Sequence, residues 1–230
     1  MHHTSANFPI TVILVIMVGL VLFATIYGLA QARKRRAALF ELAQRLHLDF
    51  APGNDAGLAD RFSFLKQLAQ GSNRYATNVL SGNYQQHEIL AFDYHYETYH
   101  TDKNGTRTEH HWFSFFILTL PASFPELTIR REGFFTKIAE VFGYADINFE
   151  SAEFSKAFNV RSPDKKFAYD VCNAQMMEYL LANRDLSIEI ENDALALAFT
   201  ACLSAEQIEL NLQRLVEIRS RLPEYLFTNV

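Results

Sequence analysis

From Ile10 to Leu29 the chain runs twenty residues without a charge, and Arg33-Lys34-Arg35-Arg36 follows almost at once. A helix of about 20 apolar residues crosses a hydrocarbon core of about 30 Å. The run of Val, Ile and Leu has no polar face, which argues against a half-buried helix of a soluble core. A cleaved signal peptide would carry a positive n-region and a shorter apolar stretch. Here nothing ahead of Arg33 is charged apart from His2 and His3 when protonated. The positive-inside bias therefore puts the basic end in the cytoplasm and the N-terminus outside. This gives a division into a short external N-terminus (1–9), a transmembrane helix (10–30), a basic juxtamembrane stalk (31–52) and a globular domain (53–230).

Beyond the span, Ala38, Leu39, Leu42, Ala43 and Leu46 keep helical spacing, and the Pro52-Gly53-Asn54-Asp55 cluster ends that helix. Asn54 or Asp55 caps a short helix with Phe62, Phe64, Leu65 and Leu68 on its apolar side. From Tyr75 the pattern turns to β, with Gly82-Asn83 as a turn. Asn104-Gly105 sits between two long β-prone runs, the preferred sequence of a type I′ hairpin. Folding there makes opposing residue numbers sum to 209 and predicts a long hairpin over 88–120. One face is aromatic, with Phe92, Tyr94, Phe113 and Phe115. The other carries Asp93, His95, Glu97, Tyr99, His110, Trp112 and Ser114.

Pro121 to Pro125 is expected to turn the chain. Helices are expected over Phe134–Phe142, from Ser151, from Ser162 as cap with Pro163 in the first position, and onward to Asn183 with a break near Asn173. Leu186–Ile190 and Ala194–Thr200 read as a hairpin around Glu191-Asn192-Asp193. Ser204-Ala205-Glu206-Gln207 fits a capping box opening a C-terminal amphipathic helix. Hairpins without a regular βαβ alternation give an α+β class: an antiparallel sheet with packed helices behind one transmembrane helix.

Charge divides the chain. The four basic residues of the cluster stand without an acidic partner in the first 36 positions, leaving 17 Lys and Arg against 26 Asp and Glu. An acidic domain has no footprint for nucleic acid, whereas Arg33, Lys34, Arg35 and Arg36 suit an anionic membrane interface. Cys172 and Cys202 are not in a CxxC pair and read as small buried apolar residues.

Site chemistry concentrates on the hairpin. His95, Glu97 and His110 share a face, and imidazole with carboxylate suits Zn²⁺ or another divalent ion. Tyr99, His110 and Trp112 form a contact surface on the same face. Arg130, Arg131, Arg161, Lys165 and Lys166 are a second, basic grouping that suits an anion. No nucleophile elbow, phosphate loop or dinucleotide fingerprint is present, so no catalytic residue and no organic cofactor are assigned. Ala24, Gly28 and Ala32, four apart, provide a small-residue face on which two membrane helices could form a homodimer.

Gly82-Asn83-Tyr84, Phe92-Asp93-Tyr94, Asp146-Ile147-Asn148-Phe149-Glu150-Ser151 and Glu153-Phe154-Ser155 resemble segments of an uncharacterised family of bacterial membrane-anchored proteins. The likeness covers about Leu39 to Leu222. It implies a bacterial single-span protein of unknown function, hands over no catalytic residues and fits the reading from the residues. That reading is a membrane-tethered cytoplasmic binding or scaffold domain, with the lipid bilayer and another membrane or cytoplasmic protein as partners. The alternatives are a metal-dependent hydrolase built on the His/Glu cluster and a structural subunit of an inner-membrane complex.

Overall fold

The computed structural model describes residues 7–103, 105–131 and 144–228, with side chains from residue 12 onward. The helix expected over Phe134–Phe142 lies outside the described residues. The chain is α+β, with one long N-terminal helix followed by an antiparallel sheet and shorter helices.

Helix α1 runs unbroken from Asn7 to Leu46. At about 1.5 Å per residue it is roughly 60 Å long, about twice a hydrocarbon core. Its N-terminal part is fully exposed and is long and apolar enough to cross a membrane. Its C-terminal part belongs to the domain. Leu39, Leu42 and Ala43 are buried in the main core, together with Leu212, Leu215 and Ile218 from the last long helix. Strand β1 (Asp49–Ala51) follows two residues later and pairs with β2. Helix α1 thus enters the fold without a linker.

The six-stranded sheet has the order β1-β2-β3-β4-β5, with β6 also on β4. The strands are β2 (Ser72–Tyr84), β3 (His87–Asp102), β4 (Gly105–Arg131), β5 (Phe158–Arg161) and β6 (Ile188–Ala198). Helix α2 (Ala56–Arg61), capped by the Asp55 side chain, and the turns through Leu68 cover one face. There Phe62, Leu65 and Leu68 pack on Phe92, Tyr94, Tyr96, Phe113 and Phe115, the aromatic face expected from sequence. Tyr94 is fully buried, and its hydroxyl donates to the Leu68 carbonyl at 2.5 Å.

The opposite face packs against α1 and the later helices: α3 (Ala152–Ala157), α4 (Lys165–Val171), α5 (Ala174–Ala182) and α6 (Ala205–Arg221). A last turn, α7 (Tyr225–Thr228), follows. The capping box of Ser204 and Gln207 opens α6 as expected, and Asn173 caps α5 after the break.

Five local expectations are corrected. The β3–β4 ladder sums to 207, pairing Tyr94 with Phe113 and Asp102 with Gly105. A shift of two preserves which residues share a face but changes every cross-strand partner. The β2–β3 turn falls on Gln85-Gln86, both with positive φ, while Gly82 lies within β2 opposite Ile89. Pro121 and Pro125 do not turn the chain. Strand β4 continues through them, and its ladder to β6 breaks between Thr119 and Phe124, where proline cannot donate. Asn192 stands opposite Phe124 at that irregular stretch, with φ of 53°. The expected hairpin at 191–193 is thus a bend within one continuous β6. Finally, Asp164 rather than Ser162 caps α4, because its carboxylate accepts from Phe167 N–H.

Candidate functional site

Two β-bulges in β2 organise the polar face of the hairpin. The register of β2 against β3 shifts between Ser72 and Tyr75 and again between Thr77 and Leu80. Asn73 and Asn78 sit in these shifts with φ of 48° and 51°. Asparagine tolerates this left-handed conformation better than most residues, and a bulge re-aims its side chain. Each Asn amide meets a carboxylate of β3. Asn73 Nδ2 donates to Glu97 Oε1 at 2.6 Å, and Asn78 Nδ2 donates to Asp93 Oδ2 at 2.9 Å.

The first of these carboxylates belongs to the cluster read from sequence. Glu97 and His110 face each other directly across β3 and β4, and His95 faces Trp112. His95 Nε2 lies 3.1 Å from His110 Nδ1, and His110 Nδ1 lies 3.4 Å from Glu97 Oε1. One donor atom from each of His95, Glu97 and His110 falls within 4.8 Å of the others. His95 is buried, stacked on Tyr75 at 4.6 Å and tilted against Trp112 at 4.5 Å. Its Nδ1 meets the Asn73 carbonyl at 3.1 Å. A carbonyl only accepts, so Nδ1 carries the proton and Nε2 presents its lone pair to the cluster. Tyr99 donates its hydroxyl to Glu97 Oε2 at 2.9 Å. The Asn73 and Tyr99 hydrogen bonds hold the Glu97 carboxyl below its usual range.

Gly71 lets this arrangement close. Its φ is +62°, and a Cβ there would stand 2.3 Å from the Glu97 carbonyl oxygen. Only glycine permits that approach of the chain entering β2 to β3.

The contact residues Tyr99, His110 and Trp112 lie on the same patch and are exposed. The structure therefore brings the two expected groups together into one surface. His110 and Trp112 also border a groove of about 370 Å³, lined in addition by Tyr96, His111, Phe199 and Thr200 among others. A larger hollow of about 530 Å³ between α5 and α6 is lined by Gln175, Glu178, Tyr179, Ser220 and Arg221, with no comparable convergence of donors.

The second carboxylate, Asp93, forms a clasp on α1. Arg35 donates to both Asp93 oxygens, at 2.5 and 2.9 Å, and also to the Leu203 carbonyl. Ser114 Oγ donates to Asp93 Oδ1 at 2.9 Å and accepts from Leu203 N–H. Four elements thus meet on one buried carboxylate. Of the basic cluster, Arg33, Lys34 and Arg36 are exposed, while Arg35 turns into the domain. A second bidentate pair, Arg45 with Glu209, joins α1 to α6.

The remaining sequence candidates do not converge. Arg130 is buried near Glu189, Arg161 pairs with Asp146, and Lys166 pairs with Asp170. Both cysteines are free. Cys172 is buried as expected, but Cys202 is exposed, a correction set by its place in the loop before α6. Partial burial and the nearby Asp93 carboxylate push its thiol up to about 12.

Sequence reasoning missed Asn73, Tyr75 and Asn78, because bulges fix their positions. It also missed the Arg35–Asp93 pair. The available signal was an aspartate standing inside the apolar run Leu90-Ala91-Phe92 and Tyr94.

No family model matches the chain, and no curated protein matches it. Among solved structures, it is similar to the crystal structure of the mycobacterial trehalose monomycolate transport factor A, TtfA. The TM-score is 0.56 over 83% of this chain and 95% of that one, at 12% sequence identity. At that identity the likeness shows a shared fold.

Proposed function

We propose that this protein is a single-pass membrane-anchored binding module whose acidic domain faces the cytoplasm and docks a membrane or cytoplasmic protein through Tyr99, His110 and Trp112. The observation that carries this reading is the passage of α1 from its exposed apolar stretch into the domain core without a linker, clasped by Arg35 on Asp93. A domain held this way presents one fixed surface to a partner in or on the same membrane. Arg33, Lys34 and Arg36 remain exposed for anionic headgroups and favour the cytoplasmic orientation. The solved neighbour is described as a transport factor. We extend to this chain the coarser role of a support subunit at a membrane transport assembly. Aromatic side chains at the centre of an exposed patch are the residue types that anchor protein interfaces.

The test uses inside-out bacterial inner-membrane vesicles and an impermeant cross-linker. The wild-type chain is expected to trap a discrete partner. Tyr99→Ala with Trp112→Ala is expected to lose it, at least tenfold, while the chain stays in the membrane. An unchanged set of cross-links, or a domain shielded from protease in such vesicles, contradicts the proposal.

A further inference from the structure

We propose that His95, Glu97 and His110 bind one divalent first-row transition ion, of which zinc is the representative, with one coordination position left open to solvent. The donor set is two neutral imidazoles and a carboxylate, the borderline ligands that such ions prefer. The spacing fits as well. Bonds of about 2.0–2.1 Å at tetrahedral angles put neighbouring donor atoms about 3.3 Å apart. The separations here are 3.1 Å for His95 Nε2 to His110 Nδ1 and 3.4 Å for His110 Nδ1 to Glu97 Oε1. Two of the three donor pairs already stand at about that separation, and the third, His95 with Glu97, lies within 4.8 Å.

The supporting contacts are of the kind that orient metal ligands. The Asn73 carbonyl takes the Nδ1 proton of His95 as a hydrogen bond and leaves Nε2 bare. Asn73 Nδ2 and the Tyr99 hydroxyl fix the Glu97 carboxylate from two sides. Tyr75 and Trp112 pack on the His95 ring. Without an ion, the His95 lone pair is met by a proton on His110 Nδ1. Binding moves that proton to Nε2 of the same ring, so His110 stays neutral and the lone pair of Nδ1 turns to the metal. Three protein ligands leave one position for water or a ligand atom from outside. His110 is the exposed member, with a side chain 57% accessible, so the open position lies on the groove side.

The chain supplies its own reporter. Trp112 is its single tryptophan and packs against the His95 ring at 4.5 Å. Paramagnetic Co²⁺ in this site is expected to quench Trp112 fluorescence by more than half. The experiment takes the full chain in mild detergent, strips it with chelator, and titrates Zn²⁺ by calorimetry and Co²⁺ by fluorescence and visible absorption. The expected result is one equivalent bound, a visible Co²⁺ band of a tetrahedral or five-coordinate site, and a melting temperature raised by several degrees on adding Zn²⁺. His110→Ala is expected to abolish all three, because its exposed ring can be removed with the fold retained. His87→Ala is the matched control. That residue pairs with Tyr84 at the far end of β3, beside the β2–β3 turn, and should leave binding unchanged.

No quenching in the folded wild-type chain overturns the proposal. So does equal uptake by wild type and His110→Ala, which would place the ion on other donors such as His2 and His3. The metal site shares His110 with the docking surface, and Tyr99 and Trp112 support its ligands. The two are separated by readout: metal uptake is measured on the purified chain without partner, and cross-linking on vesicles stripped with chelator.

Discussion

Arg35→Ala is expected to destabilise the domain by about 3 kcal/mol, the scale of breaking a buried ion pair from one side. The reason is the partner left behind. The Asp93 side chain is only 3% exposed, and after the substitution its charge has no cationic donor, only neutral ones such as Ser114 and Asn78. The Leu203 carbonyl, which leads into α6, loses its guanidinium donors as well. Arg35→Lys should recover only part of the loss, because an ammonium cannot make the bidentate contact. Adding Asp93→Asn to Arg35→Ala removes the orphaned charge, so the double variant is expected to be more stable than Arg35→Ala alone. Thermal and urea unfolding of the full chain in detergent measures all four proteins. Equal stability of Arg35→Ala and wild type would show that the clasp contributes nothing.

The second large effect is a pH dependence set by Glu189. This side chain is buried on β6, where its oxygens accept from Lys66 N–H at 2.6 Å and Gln67 N–H at 3.4 Å. Arg130 Nη2 stands 4.0 Å away, Lys66 pairs with Glu126 at 3.5 Å, and Glu191 follows on the same strand. Burial outweighs Arg130 and the backbone donors and pushes the carboxyl up to about 7. The folded chain therefore holds a proton that the unfolded chain has already released above its ordinary value of 4.5. Between those two values the native state binds more protons, so stability falls as pH rises. The contribution is complete below about pH 4.5 and lost by the time pH passes 7, a swing of about 3 kcal/mol. Glu189→Gln is expected to flatten this slope while keeping an acceptor for the two amides. Denaturant midpoints at half-unit pH steps test it, and parallel curves for wild type and variant would refute the assignment.

How much of this was legible from sequence follows from the range of each interaction. The apolar span, the caps at Asp55, Ser151, Asn173 and Ser204, and the aromatic face of the hairpin are local patterns, and each appears where the residues put it. The histidine–carboxylate cluster was legible because the alternation of a strand survives a register error of two. Apart from the cap of α4, which falls on Asp164 two residues past Ser162, what failed was non-local. The expected turns at Gly82-Asn83 and Pro121–Pro125, and the hairpin at 191–193, rest on turn propensity. Strand pairing overrode it: β2 to β3 turns at Gln85-Gln86 despite positive φ at both residues. The bulges at Asn73 and Asn78 exist only once β2 lies against β3. Arg35 reads as an interfacial cation until α1 is known to continue into the fold, 58 residues before the aspartate it meets.

In the proposed function, the continuity of α1 with the domain gives the exposed patch a fixed place relative to the membrane. Spin labels at Gln31→Cys and Gln213→Cys, in a Cys202→Ser background, report it in lipid nanodiscs. The first position is on the exposed part of α1, and the second is on the exposed side of α6. Pulsed electron–electron resonance is expected to give a single narrow distance distribution for the full chain, broadened by Arg35→Ala. A broad or multi-peaked distribution in the wild-type chain would mean that the domain swings freely below its anchor, and the account would be wrong.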